Sequence, residues 1–227
     1  MTIQAVMFDF SGTLFRLEQD ESWLADLTDE TGRPLDIEEQ AELMRRMTAP
    51  SGQLFELEPE YQYAWDNRDL DPALHRKIYL EVLRKSGLHP EQADALYDRL
   101  IDPAEWTPYP DTETVLKTLA GKGVKVGVLS NIAFDIRPAF TARGLDEFVD
   151  AFVLSFEEGV IKPDPAVFRI LLDRLGAAPE ETLMVGDAEE ADGGAKALGC
   201  AFALVDPLPT VERTDGLLTA VREHGVL

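Results

Sequence analysis

A chain of 227 residues that is 45% apolar has enough material for a full hydrophobic core, in one large domain or in a domain with a smaller one inserted. That composition excludes disordered and collagen-like classes. The 43 acidic residues against 21 basic ones leave a net charge of −22, which repels polyanions and argues against nonspecific binding of nucleic acid or an acidic membrane. The single cysteine, Cys200, cannot form an internal disulfide, no Cys/His grouping has zinc-ligand spacing, and no apolar run approaches the roughly 18 to 20 residues of a membrane span. The apolar start of the chain is too short for a signal sequence, so a reducing, cytoplasmic setting is the expectation.

In chain order, the run at 3–10 reads as a strand buried on both faces, leading into Asp9, Phe10, Ser11, Gly12, Thr13 and Leu14. A tight glycine-containing turn there would present the Asp9 carboxylate at the sheet edge, as a nucleophile is presented. Residues 16–106 lack such runs and show helical spacing instead, as in Leu74, Ile78, Val82 and in Ala93, Leu96, Leu100. Gly87 ends one helix, and Pro90 with Glu91 opens the next. This stretch is expected to be an inserted all-helical domain, with 1–15 and 107–227 forming the core domain and Pro108 and Pro110 marking the return to it.

From there helical patterns at 111–120, 136–143, 165–175 and 191–198 alternate with apolar runs at 124–129, 152–154, 182–185 and 201–205, and one more helix is expected at 215–223. Alternation of this kind implies an α/β fold with a doubly wound parallel sheet. Ligands bind such sheets beyond the carboxyl ends of the strands, which directs attention to Asp9, Ser130 and Asp187. Asp192 lies five residues past Asp187, so three carboxylates would share one crevice. At roughly 4 Å and an effective dielectric near 20, each like-charge pair costs about 4 kcal/mol, so a cation and a lysine are needed to keep them ionised. Lys162, in the turn Val160-Ile161-Lys162-Pro163-Asp164-Pro165, is the candidate lysine, and Ser130 with Asn131 could hold phosphoryl oxygens.

The ordered set DFSGTLF, VLSN, IKPDP and VGDAEEAD resembles the haloacid dehalogenase-like hydrolase superfamily in its helical-cap branch, over nearly the whole core domain. The resemblance implies a Rossmann-like core with a helical cap and a small phosphorylated, anionic substrate in a monomer or homodimer. It implies that Asp9 attacks the substrate to give an aspartyl intermediate, Thr13 supports the loop, Ser130 and Asn131 bind the transferring group, and Lys162 neutralises charge. Mg2+ would be held by Asp9, the Ser11 backbone carbonyl, Asp187 and Asp192. Read without that resemblance, Asp187 and Asp192 would cap the following helix, and Ser130 and Asn131 would merely end a strand.

Ser11 departs from the family's phosphatases, which carry a second aspartate there to protonate the leaving oxygen and activate water. A serine hydroxyl does not titrate near neutral pH and cannot perform acid/base work of about two to four decades in rate. Three explanations stay open: a substrate with a good leaving group, an acid from the cap or its hinge such as Glu18, Asp20 or Glu21, or a protein that binds phosphate compounds without turnover. The superfamily's dehalogenases and phosphonoacetaldehyde hydrolases also lack the second aspartate. The former lack the paired metal-binding acids as well, and the latter use a cap lysine, for which Lys77 and Lys85 are available.

Overall fold

The computed structural model describes residues 2–18, 21–48 and 57–227. The chain begins with β1 (Ala5–Phe8) and β2 (Phe15–Leu17), and continues through α1 (Ile37–Thr48), α2 (Pro59–Asp66), α3 (Pro72–Lys85) and α4 (Pro90–Leu100) to β3 (Trp106–Pro108). It then alternates: α5 (Thr112–Gly121), β4 (Lys125–Ser130), α6 (Arg137–Thr141), β5 (Ala151–Leu154), α7 (Ser155–Glu158), α8 (Pro165–Leu175), β6 (Thr182–Gly186), β7 (Ala201–Leu204) and α9 (Gly216–Glu223). Two short 3₁₀ segments matter for the site, Arg68–Leu70 in the insertion and Asp192–Leu198 after β6.

Five strands form a parallel sheet in the order β5-β4-β1-β6-β7. Successive side chains of a strand point to opposite faces, and β1 shows the result. Val6 and Phe8 join Val115, Leu116 and Leu119 of α5 and Leu217 and Val221 of α9 in one core. Ala5 and Met7 join Val167, Phe168, Leu171 and Leu172 of α8 in the other. Both faces are therefore covered, and the continuous apolar runs of the central strands follow from that double burial. β1 lies in the middle of the sheet, so the residue after it emerges between the ends of β4 and β6.

The helical insertion lies between β2 and β3, and it is entered and left through an antiparallel ribbon in which Phe15 faces Pro108 and Leu17 faces Trp106. Three-residue strands leave too short a pattern for periodicity to reveal. The ribbon is anchored by aromatic packing: Phe10 lies 5.0 Å from Phe15 and 4.9 Å from Trp106, centroid to centroid, and Phe15 lies 4.8 Å from Phe140. Within the insertion α3 packs against α1, α2 and α4. His75 is buried there, its Nδ1 3.0 Å from the Tyr97 hydroxyl, and burial pushes its pKa down to about 3, so it is a neutral structural group. Among the described residues no helix is long and apolar enough to cross a membrane.

Candidate active site

Asp9 follows β1 directly, its N–H donating to the Val185 carbonyl (3.0 Å) so that the sheet ladder fixes its position. The chain then turns sharply. The N–H groups of Leu14 and Phe15 donate to the Phe10 carbonyl (3.0 and 2.9 Å), and Gly12 adopts φ +78. Glycine is required here twice over: the left-handed backbone disfavours a side chain, and a Cβ would stand 2.5 Å from an oxygen of Asp187.

Lys162 is buried and reaches across from the loop before α8. Its Nζ donates to Asp9 Oδ1 (2.6 Å), Asp192 Oδ1 (2.7 Å) and the Leu129 carbonyl (3.1 Å), three acceptors for its three protons. The other Asp192 oxygen accepts from the Ala188 N–H (3.0 Å), and Gly186 leaves room for this carboxylate, since a Cβ there would sit 2.1 Å from Asp192 Oδ2. Asp187 is partly buried, and Thr13 Oγ1 donates to its Oδ1 at 3.4 Å. Carboxylate oxygens of Asp9, Asp187 and Asp192 all lie within 4.8 Å of one another.

These distances set the electrostatics. Burial holds the Asp9 carboxyl well above the ordinary carboxylate range, against the pull of Lys162 and reinforced by the charges of Asp192 and Asp187. Asp187 is raised for the same reason, burial first and Asp192 second. Burial works against the Lys162 ammonium too, but Asp9 and Asp192 together outweigh it and keep its pKa above the usual lysine value. With all three carboxyls ionised against one ammonium, the site would carry two excess negative charges in a place largely removed from water. An oxygen-only donor set with that excess charge fits a hard divalent cation such as Mg2+.

Of the other sequence candidates, Ser130 is buried at the end of β4, next to the Leu129 carbonyl that Lys162 uses. Asn131 has its carboxamide engaged at both ends by the Lys162 backbone, donating to the Lys162 carbonyl (3.0 Å) and accepting from its N–H (2.7 Å). Its side chain thus fixes the loop that carries the lysine. Ser11 is exposed. Glu18 is tied to the C-terminal segment, accepting from the Thr210 N–H (2.6 Å) and lying 3.6 Å from Arg16. Asp20 lies outside the described residues, and Glu21 opens a short 3₁₀ turn, Glu21–Trp23.

The sequence offered no signal for Arg213. It is buried over the Tyr109 ring, donates to the carbonyls of Gly12 (2.7 Å) and Asp206 (2.9 Å), and also bonds the Thr13 carbonyl. Thr112 Oγ1 and the Tyr109 N–H hold the Leu14 carbonyl (2.8 and 3.0 Å). The carbonyls of the turn after Asp9 are therefore braced by donors contributed from about 100 and 200 residues away in sequence.

Comparison with known proteins agrees with this geometry. The family model described as haloacid dehalogenase-like hydrolase matches residues 3–199. The chain is 33% identical over 164 residues to ribulose-1,5-bisphosphate 5-phosphatase of Halopiger xanaduensis, covering 67% of each protein. It is 32% identical over 209 residues to (S)-2-haloacid dehalogenase of Xanthobacter autotrophicus, covering 89% of this chain and 75% of that one. The structure of L-2-haloacid dehalogenase from Xanthobacter autotrophicus with chloropropionic acid covalently bound superimposes with a TM-score of 0.65 at 26% identity, over 96% of this chain and 83% of that one. With a family match over residues 3–199 and a relative 32% identical along 75% of that protein's length, this chain belongs to the haloacid dehalogenase-like hydrolases.

Proposed function

We propose that the chain is a Mg2+-dependent phosphohydrolase that transfers the phosphoryl group of a small anionic substrate to Asp9 and then to water. The observation that carries this reading is the clustering of Asp187 and Asp192 with Asp9. Displacing a halide by a carboxylate needs one nucleophile and gains nothing from two more acids, whereas phosphoryl transfer needs neutralised oxygens on both the group and its acceptor. A relative that is a phosphatase supports the same reading.

Asp9 and Asp187 would hold the cation directly, with the Ser11 carbonyl, while Asp192 would contribute through its remaining lone pairs. When bound, Mg2+ supplies Lewis-acid neutralisation of the phosphoryl oxygens. Asp9 attacks phosphorus in line with the departing oxygen. Lys162 draws the attacking carboxyl toward its ionised form and offsets charge on the phosphoryl group, with Asn131 holding the lysine's backbone in register. The Ser130 hydroxyl would donate to a phosphoryl oxygen, and Thr13 would steady Asp187. Residues 16–106 would act as the cap, closing to exclude water and opening for release. The buried, lone Cys200 suits a reducing compartment.

A second reading, carbon–halogen hydrolysis, is favoured by the longer match to the dehalogenase and by Ser11 in place of an acid. A panel of acetyl phosphate, p-nitrophenyl phosphate and 2-chloropropionate, run with Mg2+ and with EDTA, separates the two. The phosphatase reading expects phosphate release that falls by more than about 100-fold in EDTA, and no chloride. Chloride release in EDTA, without phosphate release in Mg2+, would establish the dehalogenase instead.

A further inference from the structure

The helical insertion docks one acidic residue, Asp69, against the loops around Lys162, which its position in sequence does not suggest. The 3₁₀ segment Arg68–Leu70 packs on α7, where Ser155 Oγ donates to the Asp69 carbonyl (2.5 Å) while accepting from the Ile132 N–H (2.8 Å). Ile132 follows Asn131, which grips the Lys162 backbone, and Lys162 bonds Asp9. A short run of contacts thus ties the Asp69 backbone to the loop that carries Lys162. The Asp69 side chain is 24% exposed, enough to meet a bound molecule and little enough to be shielded from bulk water.

The charged and titratable groups acting at this carboxyl are Arg68 beside it, with Nε 4.0 Å from Oδ2, Lys162 from the facing loop, and the Tyr79 hydroxyl of α3. Burial outweighs both cations and raises the Asp69 pKa, so its proton is retained to higher pH than on a solvated aspartate. Glu18, nearer in sequence, is engaged by Thr210 and Arg16.

We propose that Asp69 is the carboxylic acid that gives a proton to the leaving oxygen and later takes one from water, the work Ser11 cannot do. The assignment rests on the phosphatase reading above. In the first step the Asp9 oxygen–phosphorus bond forms, the bond from phosphorus to the leaving oxygen breaks, and the Asp69 proton moves to that oxygen, releasing an alcohol. In the second, Asp69 carboxylate takes a proton from water as the water oxygen bonds phosphorus. The Asp9 oxygen–phosphorus bond then breaks, returning both carboxyls to their starting states and releasing phosphate.

Rapid-mixing kinetics on the full chain with Mg2+, using p-nitrophenyl phosphate and β-glycerophosphate, test this with wild type, Asp69→Asn and Asp69→Asn/Ser11→Asp. Asp69→Asn is expected to slow β-glycerophosphate turnover on the order of 10² to 10⁴-fold. It should keep a stoichiometric burst of p-nitrophenolate, whose departure needs no proton, followed by slow turnover. Adding Ser11→Asp is expected to recover β-glycerophosphate turnover by about tenfold or more. Full activity of Asp69→Asn on β-glycerophosphate overturns the assignment, and so does a burst lost together with that activity, which marks a structural role. A wild type inert on both esters overturns the phosphatase reading and this assignment with it.

Discussion

Asp9→Asn is expected to lower turnover by about 10⁴-fold or more, because the substitution keeps the shape of the side chain and replaces the carboxylate that would form the covalent intermediate with a weakly nucleophilic amide. The variant should remain folded, and in metal-free buffer it should respond differently to pH. The Asp9 carboxyl is raised by burial, so its contribution to stability is fully present below the ordinary carboxylate pKa and is lost as pH rises toward its folded value. Lys162 is raised as well, but its contribution is intact throughout this window, since it is lost only above the usual lysine range. Thermal melts in EDTA at pH 5 and pH 7.5 should therefore show the wild type losing stability on going to the higher pH, and Asp9→Asn losing less. Equal losses in both proteins would mean that the Asp9 charge is not under the strain its burial implies.

Lys162→Met has the second large effect and acts on stability and turnover together. The ammonium is the one cation bonded to both Asp9 and Asp192, with side chains 3%, 9% and 1% exposed. Removing one partner of a buried ionic group costs about 3 to 5 kcal/mol, because the charges left behind are neither solvated nor paired. For a protein of this size that is a fall in Tm on the order of 10 °C. Mg2+ should recover part of the lost stability, since binding to the folded state alone adds to it. Turnover should stay low with the metal present, because among the described residues no other ammonium or guanidinium is paired with the Asp9 carboxylate. Calorimetric melts with EDTA and with Mg2+ check the first part, and phosphate release checks the second.

The central strands were readable because burial on both faces writes a continuous apolar run into the chain. β4 and β7 fall within a residue of the runs at 124–129 and 201–205. The helix at Pro165–Leu175 was equally plain, since Asp164 caps it by accepting from the Ala166 N–H (2.8 Å) and Gly176 ends it in the left-handed region. Elsewhere local chemistry shortened or tightened what periodicity suggested. The run at 3–10 yields a strand only to Phe8, because the Phe10 carbonyl already serves the turn. The pattern at 136–143 gives a helix over Arg137–Thr141, and that at 191–198 forms 3₁₀ turns through Gly193 and Gly194.

The candidate site divides in the same way. Asp9, Lys162, Asp187 and Asp192 were legible because they stand at strand ends or in a marked turn, and the fold brings all four together. What the sequence hid are partnerships across long separations. The Asn131 carboxamide is engaged by the backbone of Lys162, 31 residues on. Arg213 lies in a segment without a motif and braces a loop 201 residues earlier. Asp69 sits in a helical stretch whose periodicity carries no information about which residues reach the core.

Isothermal titration of Mg2+ into the metal-free chain tests the shared cation site most directly, with Asp187→Asn as the companion protein. The carboxylate arrangement expects one ion bound per chain in the wild type and uptake abolished or weakened by about tenfold or more in the variant. No heat of binding in the wild type, together with chloride release from 2-chloropropionate in EDTA, would contradict it.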